Sequence, residues 1–537
     1  MKETSRNNDD SSDHRLRKTV RVGIALASPS LPAWEYSSLQ RILSTEGVTP
    51  VFVLFLPQAE RKEPSVGMVA NWYLALDSKR ISSSNDPLRR KDATDLIAGI
   101  PTVSLDTFTG GSTDRPEADV IIQLGPAEPR ASLAASSRNG LWYHPESSTG
   151  LATGFDAMMG GSEVVTSSVQ AILPSGGTVT LRASHGSASD SSPGRIRGQV
   201  LWKSVSLLSR ELSDLTRQDA SLTGKKATGN DQNRRKQKGT SFGFIRHLGS
   251  QVTTRISRKL FLDQWHLLYH LDPAGGLAPD DPRLFSPIIP PKNRFWADPF
   301  VISEHGRYYL FIEESLMKPH KKGFISVIIM DRDGRWEQPV KVIEQPYHLS
   351  YPFMFRYEGE LFMIPESGQN KTVDLYRCEE FPFRWKHHHV IMDDVRAVDT
   401  TLLFHEDRWW MFTTMIETEG ASLWDELYLF WSDNPVRGPW TPHPRNPVLS
   451  DARRARPAGA VQSTDGKLYR PSQDCGRRYG YALNMNEILA LNTRDYQEQV
   501  VRRVEPPSGS PIKAIHTLNS AGGLTVMDGI LRRRRFP

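Results

Sequence analysis

Acidic, basic and aromatic side chains recur in the second half of this chain about fifty residues apart. The recurring positions are Asp298, Tyr351, Asp399, Arg456 and His516, and successive positions are separated by 53, 48, 57 and 60 residues. Carboxylates and imidazoles that meet at one place can donate and accept protons during a reaction. Such chemistry requires a fold that brings these distant positions together.

The repeated unit around these positions is a pair of short apolar segments joined by a turn. In the first repeat, Ala297–Val301 is followed by Tyr308–Glu314, and in the second, Ser350–Phe355 is followed by Leu361–Glu366. The spacing is close to the length of a β-propeller blade, which has four strands. We therefore predict an all-β five-bladed propeller over residues 258–537, closed by a strand from Leu260–His270. The alternative is a sandwich of two stacked sheets.

One mouth of the propeller channel is predicted to collect polar side chains from every blade. The start of the first strand and the end of the second lie at the same end of an antiparallel hairpin, and first strands line the channel. The predicted set comprises Asp298, Glu313 and Glu314 of blade one, His348, Tyr351 and Glu366 of blade two, Asp399 of blade three, Arg456, Arg470, Gln473 and Asp474 of blade four, and His516 of blade five, with Trp296 nearby.

This mixture of residue types suits a carbohydrate. Carboxylates and arginines bind sugar hydroxyls, aromatic faces pack against the sugar ring, and two carboxyls can cleave a glycosidic bond by acid–base catalysis. The competing interpretation is that acidic residues at strand ends cap turns or join neighbouring blades.

The string Trp296–Phe300 (WADPF) resembles the first-blade signature of five-bladed propeller glycosidases, the arabinanase, xylosidase and invertase group. The resemblance implies that Asp298 is the general base or nucleophile. That group also has an Asp opening blade two and a Glu acid in blade three. Here Ser350–Pro352 opens blade two and Asp399 stands in blade three, which leaves Glu366 or Asp399 as the candidate acid.

A second resemblance covers about residues 290–530. The strings that carry it are His348–Phe353 (HLSYPF), Met363–Ser367 (MIPES), Ala455–Gly459 (ARPAG) and Leu468–Cys475 (LYRPSQDC). They are similar to the N-terminal domain of plant glucosamine inositolphosphorylceramide transferases, a domain that bacterial proteins also carry. In the plant proteins a separate glycosyltransferase domain follows, so the resemblance does not carry the transferase activity to this chain.

The first part of the chain, residues 19–216, is predicted to be an α/β domain with a parallel sheet. Val20–Leu26, Pro50–Phe55 and Ala118–Gly125 read as buried strands, and Trp34–Leu43 reads as a helix between the first two. Apolar runs that alternate with helices are typical of parallel sheets. Residues 199–216 have helical spacing and are expected to close the domain.

Gly140–Pro145 (GLWYHP) and Thr153–Phe155 (TGF) resemble motifs of the formyltransferase fold. His144 matches the His of that family's Asn-x-His motif, whereas Trp142 stands in place of the Asn. The resemblance implies a formyltransferase-like domain that has lost this activity.

Charge and composition limit the partners. Residues 1–18 are predicted to be a disordered tail and 217–257 a linker, and the net charge of +6 includes basic runs at 233–238 and Arg532–Arg535. These runs read as solvated linker and tail, or as weak contacts to an anionic membrane surface. No aromatic residues interleave with them, so nucleic acid is not expected as a partner.

Localisation and cofactors are predicted mainly from what the sequence does not contain. It has no run of 18 apolar residues and no secretory signal, which predicts a cytoplasmic protein, either free or at the periphery of a membrane. Its two cysteines, Cys378 and Cys475, exclude a disulfide framework and have no metal-type spacing. No cofactor is expected, and although a carboxylate-lined channel could hold Ca²⁺, no ligand spacing requires a metal.

Three functions stay open. The first is a carbohydrate-active enzyme that hydrolyses or transfers a glycosyl group on a glycan or glycolipid of cell-surface polysaccharide metabolism, with Asp298 as base. The second is a glycan-recognition module that works with a partner glycosyltransferase. The third is a sugar N-formyltransferase.

Overall fold

An α/β domain precedes a ring of five β-sheets in the computed structural model. The structure describes residues 18–57, 68–78, 85–109, 116–125, 128–148, 153–190, 192–217, 259–272, 279–317 and 322–535, and the single residues 249, 253 and 257. The predicted tail, the basic run at 233–238 and almost all of the predicted linker lie outside these residues. None of the described helices is long and apolar enough to cross a membrane.

The α/β domain contains nine strands and eight α-helices among the described residues. The strands are β1 (Val20–Leu26), β2 (Ser30–Pro32), β3 (Val48–Phe55), β4 (Arg90–Asp92), β5 (Thr102–Val103), β6 (Val120–Leu124), β7 (Leu141–Tyr143), β8 (Val164–Ile172) and β9 (Thr178–Ser187). The helices are α1 (Ala33–Leu43), α2 (Met68–Ser78), α3 (Thr94–Ile97), α4 (Asp106–Thr109), α5 (Ala131–Ala134), α6 (Phe155–Gly160), α7 (Pro193–Ser204) and α8 (Leu207–Thr216), with a 3₁₀ turn at Pro145–Ser148.

The main sheet of this domain is mixed, in the order β5-β3-β1-β6-β7-β8-β9. The first five strands are parallel, as the apolar runs predict, whereas β8 and β9 are antiparallel. A short turn in which Gly176 and Gly177 both have positive φ joins β8 directly to β9, which makes this pair antiparallel, because a parallel pair needs a long crossover. The predicted helix at 199–216 is divided between α7 and α8.

The rest of the described chain is the propeller. Its strands are β10 (Phe261–Leu271), β11 (Ser286–Ile288), β12 (Arg294–Glu304), β13 (Arg307–Leu316), β14 (Gly323–Met330), β15 (Val340–Ile343), β16 (Ser350–Tyr357), β17 (Glu360–Ser367), β18 (Thr372–Glu380), β19 (Arg384–Met392), β20 (Ala397–His405), β21 (Arg408–Met415), β22 (Glu426–Ser432), β23 (Thr441–Pro442), β24 (Leu449–Ser450), β25 (Gln462–Thr464), β26 (Lys467–Asp474), β27 (Ala482–Leu491), β28 (Tyr496–Val504), β29 (Leu518–Ala521) and β30 (Leu524–Arg534). Short 3₁₀ turns lie at Pro282–Leu284 and Gly368–Asn370.

These strands form the five blades that the repeat predicts. Blades one to four are β12–β15, β16–β19, β20–β23 with β24 added beside β22, and β25–β28, each in sequence order. The fifth blade has the order β11-β10-β30-β29, so it combines both ends of the propeller segment. The predicted closing strand is confirmed, because β10 pairs with β30 from Phe261–Arg534 to Leu271–Leu524.

The basic run at the C-terminus belongs mostly to a strand, although Arg532, Arg534 and Arg535 are exposed to solvent as its composition predicts. Arg532, Arg533 and Arg534 lie in β30, where the Arg532 guanidinium lies 2.8 Å from the Asp263 carboxylate and Arg533 donates to the Gln264 side chain at 2.7 Å. Composition alone does not reveal the pairing of this run with β10.

Candidate functional site

The first strands of blades one to three share a backbone irregularity at the position where the repeat begins. Asp298, Tyr351 and Asp399 have φ values of 50°, 44° and 53°, and the pairing with the second strand shifts at each of them. A β-bulge of this kind re-aims one side chain relative to the pleat of the strand. Three bulges at equivalent places therefore direct three side chains to one end of the channel.

Asp298 is buried and held by donors from blades two and five. Its Oδ1 accepts from the Thr517 hydroxyl at 2.7 Å, its Oδ2 accepts from the Tyr351 backbone N–H at 3.2 Å, and His516 Nε2 lies 3.6 Å from Oδ1. Burial raises the pKa of the Asp298 carboxyl to about 6, although the His516 imidazole opposes the rise. Asp298 can therefore exchange a proton near neutral pH.

His516 is held between two carboxylates. Its Nδ1 lies 2.7 Å from Asp528 Oδ1, its Nε2 faces Asp298, and its ring stacks on Trp265 with centroids 4.0 Å apart. Burial opposes protonation of His516, but Asp528 and Asp298 outweigh it and raise the imidazole pKa. Two acceptors on opposite ring nitrogens fit an imidazolium cation.

Asp399 is paired with Arg456. Arg456 Nε lies 2.5 Å and Nη2 3.3 Å from the two Asp399 oxygens, and Gln473 Nε2 donates to Asp399 Oδ2 at 2.8 Å. Both charged side chains are buried, with Asp399 2% and Arg456 6% exposed. Arg456 and Gln473 together occupy the Asp399 carboxylate with three donor bonds.

Glu366 is the accessible carboxyl of the cluster. Its side chain is 15% exposed, and its Oε2 lies 3.5 Å from Arg456 Nη2. Burial and the neighbouring Asp399 carboxylate raise the pKa of Glu366 well above its usual value, despite Arg456. This direction of shift favours the protonated form of Glu366, which is the form that a general acid needs.

Glu313 and His348 form a second acidic group at the edge of this cluster. Glu313 Oε1 lies 3.4 Å from His348 Nε2, while His348 Nδ1 accepts from the Gly323 N–H at 2.9 Å. Burial and then Asp298 and Glu366 raise the pKa of Glu313 well above its usual value, and burial lowers the pKa of His348. A proton on Glu313 and a neutral His348 are consistent with this geometry.

Tyr351 is fully buried and ties blades together instead of facing solvent. Its hydroxyl lies 2.9 Å from Thr401 Oγ1 and accepts from the Gly459 N–H at 2.7 Å. The ring also packs edge-on against Phe300, with centroids 4.8 Å apart. Tyr351 thus positions the backbone N–H that binds Asp298.

Four residues of the predicted set have their partners elsewhere. Glu314 pairs with Arg294 at 2.5 Å and accepts from Ser326, Arg470 pairs with Glu498 at 2.8 Å, Asp474 pairs with Arg503, and Trp296 packs in the core of blades one and five. Successive side chains of a strand point to opposite faces. Glu314 therefore faces away from its neighbour Glu313, and Arg470 and Asp474 face away from Gln473.

The sequence interpretation missed four residues of the site: Trp265, Tyr479, Thr517 and Asp528. Asp528 had a usable signal, because it lies on the second strand of blade five, as Glu313 and Glu366 do in blades one and two. Tyr479 lies in a loop, with its ring 4.9 Å from the Arg456 guanidinium carbon. Loop residues have no repeat position, so spacing could not have found it.

A possible metal site overlaps with this cluster. Among the described residues, ligand atoms of Asp298, His516 and Asp528 lie within 4.8 Å of one another. The His516 nitrogens already face both carboxylates, so an imidazolium supplies the positive charge that a metal ion would bring.

The His144 region of the α/β domain is a separate cavity of about 190 Å³. His144 is buried, its Nδ1 lies 2.9 Å from the Ser168 carbonyl oxygen, and burial lowers its pKa to about 4. Trp142 is buried in the core of this domain, and its Nε1 donates to the Asn139 carbonyl. The formyltransferase likeness of this domain stays a prediction.

Comparison with known families identifies the domain that holds the cluster. The family described as glucosamine inositolphosphorylceramide transferase 1, N-terminal, matches residues 289–516. Residues 289–516 carry this transferase N-terminal domain. It spans blades one to four and ends at His516, the residue between the two carboxylates.

Curated relatives support the same assignment. Glucosamine inositolphosphorylceramide transferase 1 from Arabidopsis thaliana is 34% identical over 210 residues, which are 39% of this chain and 27% of the plant protein. The protein of that name from Oryza sativa subsp. japonica is 32% identical over 210 residues, 39% of this chain and 28% of the relative. The match therefore covers the transferase N-terminal domain and less than a third of each relative.

Solved structures similar to this chain include two carbohydrate-active proteins. An α-L-arabinanase from Cellvibrio cellulosa, complexed with arabinohexaose, is 16% identical, with a TM-score of 0.29, and the match covers 38% of this chain and 77% of the arabinanase. A family 117 glycoside hydrolase from Zobellia galactanivorans is 12% identical, with a TM-score of 0.34, and the match covers 50% and 90% of the two chains.

Proposed function

We propose that the propeller mouth acts on the sugar part of a glycan or glycolipid by acid–base chemistry. Glu366 is the proton donor and Asp298 the base. The observation that carries the proposal is the pair of carboxyl groups with raised pKa values in one buried cluster, of which Glu366 is 15% exposed. Separate environments for two carboxyls are the arrangement that assigns one as acid and the other as base.

In this proposal Glu366 protonates the oxygen of the leaving group as the glycosidic C–O bond breaks. Asp298 takes the proton from an attacking hydroxyl, which belongs to water in hydrolysis or to an acceptor in transfer, as the new C–O bond forms. The Asp399 carboxylate, held by Arg456 and Gln473, stabilises the positive sugar of the transition state in this proposal.

The names of the curated relatives supply the candidate substrates. They are called glucosamine inositolphosphorylceramide transferases, so we propose an amino sugar on a phosphoinositol lipid, or a related glycolipid intermediate of cell-surface polysaccharide metabolism. A glycolipid substrate would place the protein near a membrane surface, and a partner glycosyltransferase remains part of the proposal.

The test is turnover by purified wild type, Asp298→Asn and Glu366→Gln on glucosamine-bearing inositolphosphorylceramide and on activated sugars, followed by mass spectrometry. We expect a product with wild type and a loss of at least about a hundredfold with either variant, the usual size of a general acid–base contribution. Glu314→Gln is the matched control, because Glu314 pairs with Arg294 outside the cluster. Equal turnover by all four proteins would refute the assignment.

A second candidate is a glycan-recognition module. The observation that favours it is that Asp399 and Arg456 are already fully engaged with each other and with Gln473. It predicts that a glycan binds without turnover and that Asp298→Asn and Glu366→Gln bind it as well as wild type does.

A further inference from the structure

Two loops that border the charged cluster both carry a half-buried aromatic residue. The loop 416–425 joins β21 to β22 and contains Trp424, and the loop 475–481 joins β26 to β27 and contains Tyr479. The two rings are neighbours, with centroids 5.7 Å apart and planes tilted by 41°. Both loops follow second strands, so they lie at the mouth where the carboxyls collect.

Tyr479 connects this aromatic pair to the cluster. Its ring lies 4.9 Å from the Arg456 guanidinium carbon and meets the His516 ring edge-on at 5.4 Å. Aromatic rings that are partly exposed beside a few fixed polar groups are characteristic of ligand sites, because the apolar face and the polar groups bind different parts of one ligand. A sugar ring has such a combination of C–H faces and hydroxyls.

The α/β domain holds the first of these loops. Lys203 Nζ lies 2.7 Å from Asp425 Oδ1, next to Trp424 in sequence, and Arg41 Nη2 donates to the Glu417 carbonyl at 2.8 Å. A Cβ atom on Gly420 would lie 2.5 Å from the Trp202 ring, so the loop backbone packs directly against α7.

The same domain holds the second loop. The Ser187 hydroxyl donates to the Gly476 carbonyl at 2.9 Å, and Arg477 pairs with Glu163. Both contacts lie close to Tyr479 in sequence. One domain therefore fixes the two loops that carry the aromatic pair, although neither loop belongs to it.

We propose that Trp424 and Tyr479 form the platform that binds the sugar ring, and that the α/β domain positions this platform for the propeller. The inference rests on the proposed carbohydrate function and names the residues that recognise the ring. It also assigns a task to the α/β domain that requires no activity of its own.

The test measures binding of glucosamine and N-acetylglucosamine by saturation-transfer NMR, which needs no turnover. Trp424→Ala and Tyr479→Ala are expected to raise the dissociation constant at least about fivefold, in line with the contribution of an aromatic contact. Tyr479→Phe keeps the ring and is expected to stay within about twofold of wild type. Trp72→Ala is the matched control, because Trp72 lies on α2 and is 65% exposed.

The positioning role has its own variant. The double substitution Lys203→Met with Asp425→Asn removes the contact between α7 and the first loop without leaving a charge unpaired. We expect it to weaken sugar binding by a similar factor, although neither residue contacts Tyr479. Circular dichroism shows whether each variant folds. If Trp424→Ala does not fold, Trp424→Leu, which keeps a larger apolar side chain, takes its place.

Unchanged binding by folded Trp424 and Tyr479 variants would overturn the platform, and unchanged binding by the double variant would overturn the positioning role. If wild type binds neither sugar, the platform fails for amino sugars. The proposed acid–base function stands or falls separately by the turnover of the Asp298 and Glu366 variants.

Discussion

The cluster at the propeller mouth contains charged side chains from all five blades: Asp298 and Glu313, Glu366, Asp399, Arg456, and His516 with Asp528. His516 is bound between Asp298 and Asp528, and Arg456 is bound to Asp399, so each of these three buried carboxyls has a cationic partner. Burying a charge is costly unless it is paired and hydrogen-bonded. Glu366 and Glu313 have more distant partners, Arg456 at 3.5 Å and His348 at 3.4 Å, and burial raises the pKa of both carboxyls.

This charge pattern predicts a bell-shaped pH dependence of kcat/KM. Asp298 must be ionised to act as base, so activity should rise with pH through about 6, the pKa to which burial raises its carboxyl. Glu366 must be protonated to act as acid, so activity should fall again as the pH passes its raised pKa. The measurement is kcat/KM from pH 4 to pH 10. A profile that stays flat above pH 5 would contradict both assignments.

Tyr351 is predicted to contribute more to stability than to chemistry. Tyr351→Phe removes the hydroxyl that accepts from the Gly459 N–H, leaving that buried donor without its partner. The expected loss is about 1–3 kcal/mol in the free energy of unfolding, measured by urea denaturation. Tyr269→Phe is the control, because the Tyr269 hydroxyl lies 3.5 Å from the Gly334 carbonyl and its loss should matter little. Equal effects of the two substitutions would contradict the prediction.

At the scale of single elements, the repeat was readable because each blade begins with the same hairpin. Asp298, Tyr351 and Asp399 were placed from spacing alone, and each lies on a bulge of a first strand. The bulges themselves were not predictable, since none of these residues is a glycine. The sequence predicts both Glu313 and Glu314 at the mouth. Because successive side chains of β13 point to opposite faces, the structure brings Glu313 to the cluster and pairs Glu314 with Arg294.

The last strand of blade five, β30, supports a prediction about truncation. Removing residues 524–537 deletes β30, which pairs with β10 along its whole length and carries Asp528. The Asp528 carboxylate accepts from the backbone N–H of Asp298 at 2.8 Å and of Thr517 at 3.0 Å. We therefore expect the truncated protein to lose its near-UV circular dichroism and its cooperative unfolding.

Removing only residues 536 and 537 is the control for this truncation, because Arg535 still bonds to the backbone carbonyls of Leu260 and Phe261. These residues follow β30, so the ladder with β10 and the Asp528 contacts remain. The shorter truncation should unfold as wild type does. If the longer truncation also unfolded like wild type, β30 would not be needed to close the ring.

At the scale of the whole molecule, the sequence separated two domains but did not predict how they meet. The predicted linker at 217–257 marks a boundary between them, and the structure buries Lys203 of α7 against Asp425 and Glu426 of the propeller. These partners are more than two hundred residues apart, and no local pattern marks either as an interface residue. Ser184 and Ser450, whose hydroxyls lie 2.7 Å apart, belong to the same contact.

The interface predicts that Lys203→Met destabilises the whole chain. Lys203 and Asp425 are only 3% and 2% exposed, so the substitution leaves a buried carboxylate without its cation. Removing one partner of a buried pair typically costs about 3–5 kcal/mol. The wild-type pKa of Asp425 is already raised to about 6 by burial against the effect of Lys203, so without Lys203 the carboxyl should bind a proton more readily still. The loss of stability caused by Lys203→Met should therefore grow as the pH rises above 6.

Thermal unfolding at pH 6 and pH 8 measures this effect. The loss in Tm should be larger at pH 8, where more free energy is needed to keep Asp425 protonated. The double variant Lys203→Met with Asp425→Asn should recover most of the loss and remove its pH dependence, because it removes both charges of this pair, while Glu426 keeps its contact with Arg210. Lys341→Met is the matched control, since Lys341 pairs with Glu344 at the surface, where both side chains are about half exposed. A Lys203→Met protein as stable as Lys341→Met at both pH values would show that the ion pair does not hold the domains together.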